Sequence, residues 1–154
     1  MMQWSGSCNC TEVSFRTSGR PIFRAVCHCS ICQEFNAAEY ADILTFRARD
    51  IDLNSPGTVA YKSYKKPPLL RRGRCNTCGT PVIEKLNIPL FPKLILVPVG
   101  RFAEQDLLPA RDFHIFYDCR VKDVPDNLPK ASGYLQSQTK FAAFLMRRLL
   151  RGRN

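Results

Sequence analysis

The sequence lacks long apolar runs. Its N-terminus, Met-Met-Gln-Trp-Ser-Gly-Ser-Cys, has no apolar run behind a basic start and does not fit a secretory signal. No stretch reaches the roughly 18 apolar residues that span a bilayer. Even the segment from Leu86 to Val99 is interrupted by Asn87 and three prolines. We therefore predict a chain with no transmembrane segment and a cytoplasmic location.

Internal repeats and low-complexity segments are also absent, and acidic residues are scarce. The chain has only 13 aspartates and glutamates but 23 lysines and arginines, which gives a formal charge of +10. A basic surface favours anionic partners such as nucleic acid, lipid headgroups or acidic small molecules. Charge alone does not choose among these partners.

Eight cysteines are the most distinctive residues that are present. A reducing cytoplasm disfavours structural disulfides, so metal binding or redox chemistry is the preferred use of these thiols. We predict that seven of them bind metal, with disulfides as the lesser alternative. If seven thiolates bind two zinc ions, the net charge falls to about +7. The seven are Cys8, Cys10, Cys27, Cys29, Cys32, Cys75 and Cys78.

Two cysteine pairs are predicted to form a closed structural zinc site. Cys8 with Cys10, and Cys75 with Cys78, together offer the four thiolates that tetrahedral structural zinc requires. The second pair has the outline of a zinc knuckle, because its cysteines are close enough along a tight turn to reach one ion at about 2.3 Å. Gly79 supplies the freedom of φ that such a turn needs. The site would stabilise the fold by closing a long loop.

The middle motif, Cys27-His28-Cys29-Ser30-Ile31-Cys32, offers three sulfurs and no clear fourth ligand. Three protein ligands with an open position are typical of catalytic zinc. In an extended segment His28 points away from Cys27 and Cys29, which favours a hydrogen-bonded or structural role over ligation. Cys119 could complete the set, but a lone cysteine is more often a small buried side chain. A single four-sulfur site, with the middle cysteines as plain thiols, is the alternative.

Three motifs follow one another along the chain: Gly6-Ser7-Cys8-Asn9-Cys10, Cys27-His28-Cys29-Ser30-Ile31-Cys32 and Cys75-Asn76-Thr77-Cys78-Gly79-Thr80-Pro81. They resemble the motifs of the glutathione-dependent formaldehyde-activating enzyme family, which also includes centromere protein V. The likeness continues through His114-Ile115-Phe116 and Asp126-Asn127-Leu128-Pro129. It covers roughly Trp4 to Tyr134.

The resemblance implies a tent-like fold of β-sheets with two Zn²⁺ per chain. One zinc would be structural, at Cys8, Cys10, Cys75 and Cys78, and the second would be open, at Cys27, Cys29 and Cys32. It also implies a carbon-sulfur lyase that acts on a glutathione or other thiol adduct of a small aldehyde, with glutathione as a possible co-substrate. The family usually has a basic residue after the third cysteine of the middle motif, where this chain has Gln33, which implies an altered substrate pocket.

Short runs rich in Val, Ile, Phe, Tyr and Thr predict a mainly β domain over residues 1–134. A short helix is predicted from Ser30, because Ser30 and Gln33 fit a capping box. A basic amphipathic helix is predicted over about Gln136 to Leu150, within a C-terminal segment of residues 135–154. The predicted strands are Glu12 to Thr17, Ile22 to Val26, Asp42 to Phe46, Thr58 to Tyr64, Pro81 to Glu84, Leu94 to Val99 and Phe113 to Tyr117.

Two classes of function compete. In the first, an open zinc polarises a substrate oxygen or binds a substrate thiol. Arg71, Arg72 and Arg74, which precede Cys75, would then face the carboxylates of the substrate. The alternative is that they form a solvated surface. The general acid or base is unknown, and its candidates are Glu34, Glu39, Tyr40 and His114.

In the second class, both zincs are structural and the basic surface binds nucleic acid or another acidic partner. The terminal helix would pack on its own domain or in a homodimer, with a membrane-surface role as a further alternative.

Overall fold

The structure is a computed structural model that describes residues 2–152. It confirms a mainly β fold with two helices, one of them C-terminal. The strands are β1 (Ser5–Ser7), β2 (Ser14–Thr17), β3 (Phe23–Cys27), β4 (Ala41–Arg47), β5 (Ile51–Asn54), β6 (Val59–Lys62), β7 (Leu70–Cys75), β8 (Pro81–Leu86), β9 (Leu94–Pro98) and β10 (Phe113–Ile115). The helices are α1 (Ser30–Asn36) and α2 (Gly133–Arg151).

The chain divides into two compact units, and the first holds the segment ending at Pro21 together with Leu44–Leu108. Strands β1, β2 and β5 form an antiparallel sheet, and strands β6 to β9 pair in sequence order. Aromatic and β-branched side chains fill the core between them, as alternating strands with one buried face require. Phe15 and Phe102 meet edge to face in this core, with ring centroids 5.1 Å apart.

The second unit consists of Ile22–Ile43 and the chain from Pro109 onward. Strands β3 and β10 pair in parallel, so that Cys27 lies opposite Ile115. Helix α2 packs on this pair through Phe141 against Phe23 and Phe144 against Phe113, with centroids 5.1 and 4.2 Å apart. Burial of an apolar stripe on the helix's own unit is the usual reason for amphipathic periodicity.

The predicted capping box at Ser30 is wrong. The N-cap of α1 is Cys29, whose Sγ accepts a hydrogen bond from the Cys32 amide at 3.3 Å. The Gln33 side chain donates to the carbonyl oxygens of His28 and Cys119 instead of capping an amide. A thiol at the N-cap thus takes the place of the hydroxyl that the pattern favoured.

Three strands, β1, β5 and β7, lie outside the predicted runs, and α2 begins earlier than predicted, at Gly133. The tent-like shape and the domain boundary at residue 134 stay predictions. Within residues 2–152, no helix is long and apolar enough to cross a membrane.

Gly73 lies at the irregularity in register between β7 and β8, and it provides a test of the packing there. A Cβ at this position would lie 2.7 Å from Val59 Cγ1 and 2.8 Å from the Ile83 carbonyl oxygen. Because a strand carbonyl has little room to shift, Gly73→Ala is expected to reduce the free energy of unfolding by about 1–3 kcal/mol. Urea denaturation measures this.

Gly57→Ala is the matched control, since a Cβ there meets nothing within 4 Å and its φ lies outside the left-handed region. This variant is expected to be as stable as the unmodified protein or slightly more stable. Equal stability of the Gly73 and Gly57 variants would contradict the packing described.

Candidate metal centres

Four cysteine sulfurs of the first unit lie together. The Sγ atoms of Cys8, Cys10, Cys75 and Cys78 are all within 4.8 Å of one another. The Sγ of Cys10 lies 3.5 Å from that of Cys8 and 3.8 Å from that of Cys75. Four sulfurs at about 2.3 Å from one tetrahedral ion would be about 3.8 Å apart. This group therefore fits a metal ion with four sulfur ligands.

The turn after β7 holds Cys75 and Cys78 in place. The Gly79 amide donates to the Cys75 carbonyl at 2.9 Å, and Gly79 adopts a φ of 71°, which glycine accepts without strain. The Thr80 hydroxyl, 2.9 Å from Cys78 Sγ, and the Thr80 amide together lower the pKa of the Cys78 thiol to about 5. Hydrogen bonds to the charged form favour it, so this turn favours a thiolate ready to ligate.

Three sulfurs of the second unit form another group, in which the Sγ atoms of Cys27, Cys29 and Cys32 lie within 4.8 Å of one another. Cys27 ends β3 and Cys29 caps α1, so a strand end and a helix start bring the sulfurs together. Cys27 and Cys32 are buried, and Cys29 is half-buried. The neighbouring sulfurs of Cys29 and Cys32 raise the pKa of the Cys27 thiol well above its usual range. A bound cation would relieve this, because thiolates ligate metal.

A buried chain of hydrogen bonds supports the histidine of the middle motif. His28 Nε2 lies 2.9 Å from His114 Nδ1, and His114 Nε2 lies 2.8 Å from Asp126 Oδ2. Lys130 Nζ donates to Asp126 Oδ1 at 2.6 Å. Both imidazoles are fully buried. Burial is the largest cause, and the interaction with His114 the second, that lowers the pKa of His28 to about 4. His28 therefore lies outside the sulfur group, held by hydrogen bonds.

Gln33 connects the middle motif to a distant turn of the same unit. Its amide nitrogen donates to the His28 carbonyl at 2.6 Å and to the Cys119 carbonyl at 2.9 Å. Cys119 itself is exposed and, within residues 2–152, belongs to neither sulfur group. The expectation that a lone Cys119 would be buried is therefore wrong, because the residue lies in a short 3-10 turn and not on a strand.

The four candidates for general acid or base differ in their surroundings. His114 is buried in the hydrogen-bond chain, and the Tyr40 ring packs on His28 with centroids 5.4 Å apart. The Tyr40 hydroxyl accepts a hydrogen bond from Arg111 at 3.1 Å. Glu34 and Glu39 are exposed, and Glu39 forms an ion pair with Lys122 at 3.2 Å. The sequence analysis named Asp126 only as part of the family likeness and did not name Lys130, since nothing in their spacing points to His28.

Two groups of cysteine sulfurs on a mainly β framework define a class of protein whose sulfur groups could hold metal ions. The sequence model of the glutathione-dependent formaldehyde-activating enzyme family matches residues 3–119, and the chain belongs to this family. Among curated proteins, no sequence matches the chain.

A crystal structure of a Rhodobacter sphaeroides protein is similar in fold, with a TM-score of 0.50 and 19 % sequence identity. The alignment covers 63 % of this chain and 85 % of that one. At this level of identity the likeness concerns the fold alone.

The hydrogen bonds of Asp126 predict how the stability of the protein changes in acid. Although burial opposes it, hydrogen bonds from Lys130 and His114 lower the pKa of Asp126 below its usual range. The carboxylate therefore adds stability above its unfolded pKa of about 3.9, and that stability is lost as the pH falls below this value. Asp126→Asn is expected to cost roughly 1–2 kcal/mol near neutral pH, and the difference between variant and parent should shrink toward pH 3.

Denaturation curves of the two proteins between pH 3 and 7 measure this difference, with the metal content of each sample determined at every pH. Asp106→Asn is the control, since Asp106 is exposed and belongs to the first unit, whereas the histidine chain belongs to the second. A difference that stays constant across this pH range would contradict the assignment.

Proposed function

We propose that the protein is a zinc-dependent carbon-sulfur lyase that acts on a glutathione or other thiol adduct of a small aldehyde. The observation that carries this proposal is the three-sulfur group of Cys27, Cys29 and Cys32, which leaves one tetrahedral position for a substrate. Membership of the formaldehyde-activating family supports the choice of thiol and aldehyde. In this proposal Cys8, Cys10, Cys75 and Cys78 hold a structural zinc with no open position.

Zinc in the open site would supply a positive charge that stabilises a thiolate or polarises a substrate oxygen. The reaction joins the thiol sulfur to the carbonyl carbon, and the proton that leaves sulfur ends on the carbonyl oxygen. The reverse reaction breaks the same bond and returns the proton to sulfur.

The protein's own residues orient the site in this proposal. His28 lies between two of the sulfur ligands, and its hydrogen bond to His114 fixes the extended segment on which Cys27 and Cys29 lie. Gln33 holds the same segment from its carbonyl side. Because the three ligands are fixed, the fourth position can stay open without a change in the arrangement of the ligands, as a catalytic site requires.

The metal count tests the assignment of two sites. Native mass spectrometry of the full chain is expected to find two zinc ions, with one lost in the double variant Cys29→Ser, Cys32→Ser. The control is Cys119→Ser, which removes an exposed cysteine outside both groups and should keep both ions. An unchanged count in the double variant would contradict the second site.

Thiol binding tests the proposed chemistry. Glutathione at 100 times its dissociation constant would stabilise the zinc-loaded protein by about 2.7 kcal/mol, visible as a higher melting temperature. S-Methylglutathione has the same charges but no free thiol, and it is expected to give a much smaller shift. The Cys29→Ser, Cys32→Ser variant should respond to neither ligand. Equal shifts with both ligands would show binding through the peptide alone and would count against the proposed site.

A further inference from the structure

The charges of the first unit are distributed very unevenly. Between Asp52 and Glu104 the chain has nine basic residues and a single acidic one, Glu84. Glu84 is buried and pairs with Arg72 at 2.7 Å, with 0 % and 7 % of the two side chains exposed. The remaining basic residues of this segment are Lys62, Lys65, Lys66, Arg71, Arg74, Lys85, Lys93 and Arg101.

Strands β7 and β8 place a like-charge pair in register. Arg72 lies opposite Glu84, whereas the preceding residue Arg71 lies opposite Lys85, on the other face of the same two strands. Like charges directly opposite each other destabilise an antiparallel sheet. Neither Arg71 nor Lys85 forms an ion pair within the described residues 2–152. The sheet therefore carries an electrostatic cost here that a bound anion would remove.

An aromatic ring lies close to both of these cations. Tyr61 on β6 faces Gly73 of β7 and so shares a sheet face with Arg71 and Lys85. Lys85 Nζ lies 4.4 Å from the centre of the Tyr61 ring, and the Arg71 guanidinium carbon lies 5.7 Å from it. The ring is half-buried, and Arg71 is exposed. We call Tyr61, Arg71 and Lys85 the cationic face.

We propose that the cationic face binds single-stranded nucleic acid, with Arg71 and Lys85 on phosphates and the Tyr61 ring beside a base. Positively charged grooves with aromatic rings are the combination that binds single strands with little sequence preference. A lipid surface is a poorer fit, because membrane-surface elements insert apolar side chains. None of the exposed large apolar side chains within residues 2–152 lies on β6, β7 or β8.

The experiment measures fluorescence anisotropy of a labelled 12-nucleotide oligo-dT with the full zinc-loaded chain at several salt concentrations. The unmodified protein is expected to bind, with an affinity that falls as salt rises. The double variant Arg71→Gln, Lys85→Gln should bind about tenfold more weakly. Its slope of log affinity against log salt should be smaller by about 1.4, the value for two lost phosphate contacts on a single strand.

The matched control is Arg147→Gln, Arg151→Gln, which removes the same charge from exposed positions on α2. This control should keep the salt slope of the unmodified protein. Equal weakening by both double variants would overturn the proposal, because it would show attraction by net charge alone. Absence of binding by the unmodified protein at 50 mM salt would overturn it as well.

Lys85→Glu separates binding from folding. It would replace the like-charge pair with a cross-strand ion pair between Arg71 and the new carboxylate, so its melting temperature is expected to stay close to that of the parent while oligonucleotide binding is lost. Two further results would assign the face to another ligand and overturn the proposal. They are binding of phosphatidylserine vesicles but not of oligo-dT, and displacement of oligo-dT by glutathione at constant ionic strength.

Discussion

Crowding of sulfur atoms is the constraint on which the rest of the structure depends. In each group the sulfurs lie within 4.8 Å of one another. Thiolates at this spacing repel one another. Hydrogen bonds with the Cys29 and Cys32 sulfurs, and then burial, raise the pKa of the Cys27 thiol. A bound cation would attract the thiolates, so that sulfurs at the same spacing would become a set of metal ligands. Binding of metal would therefore be coupled to the stability of the fold in both units.

The two groups meet this constraint by different local means. Around Cys75 and Cys78, backbone hydrogen bonds of a tight turn and the Thr80 hydroxyl hold the sulfurs and favour a thiolate at Cys78. Around Cys27, side-chain hydrogen bonds hold the motif. His28 is hydrogen-bonded to His114, and His114 to Asp126. A turn made from local hydrogen bonds tolerates change elsewhere in the chain. The middle motif is held through residues about 86 positions away, so it does not tolerate change elsewhere in the chain in the same way.

The sequence could predict what short-range chemistry determines. Cysteine spacing predicted both sulfur groups, and β-branched runs predicted most strands. Strand β7, Leu70–Cys75, was missed because it has three arginines and a glycine in place of β-branched and aromatic residues, so that only pairing with β6 and β8 makes it a strand. The cap at Cys29 was missed because thiols are uncommon caps. The contact of His28 with His114 joins distant segments, and no local pattern encodes it.

The register of β7 against β8 places an ion pair on one face of the two strands and a like-charge pair on the other. If stability alone governed the charges, an acidic residue at position 85 would neutralise Arg71 as Glu84 neutralises Arg72. The sheet instead keeps its one acid on the buried face, where an uncompensated arginine would cost most. On the other face water screens the like charges and reduces the cost. That screened pair, which has no acidic partner within residues 2–152, is the kind of charge arrangement that remains available to a ligand outside the protein.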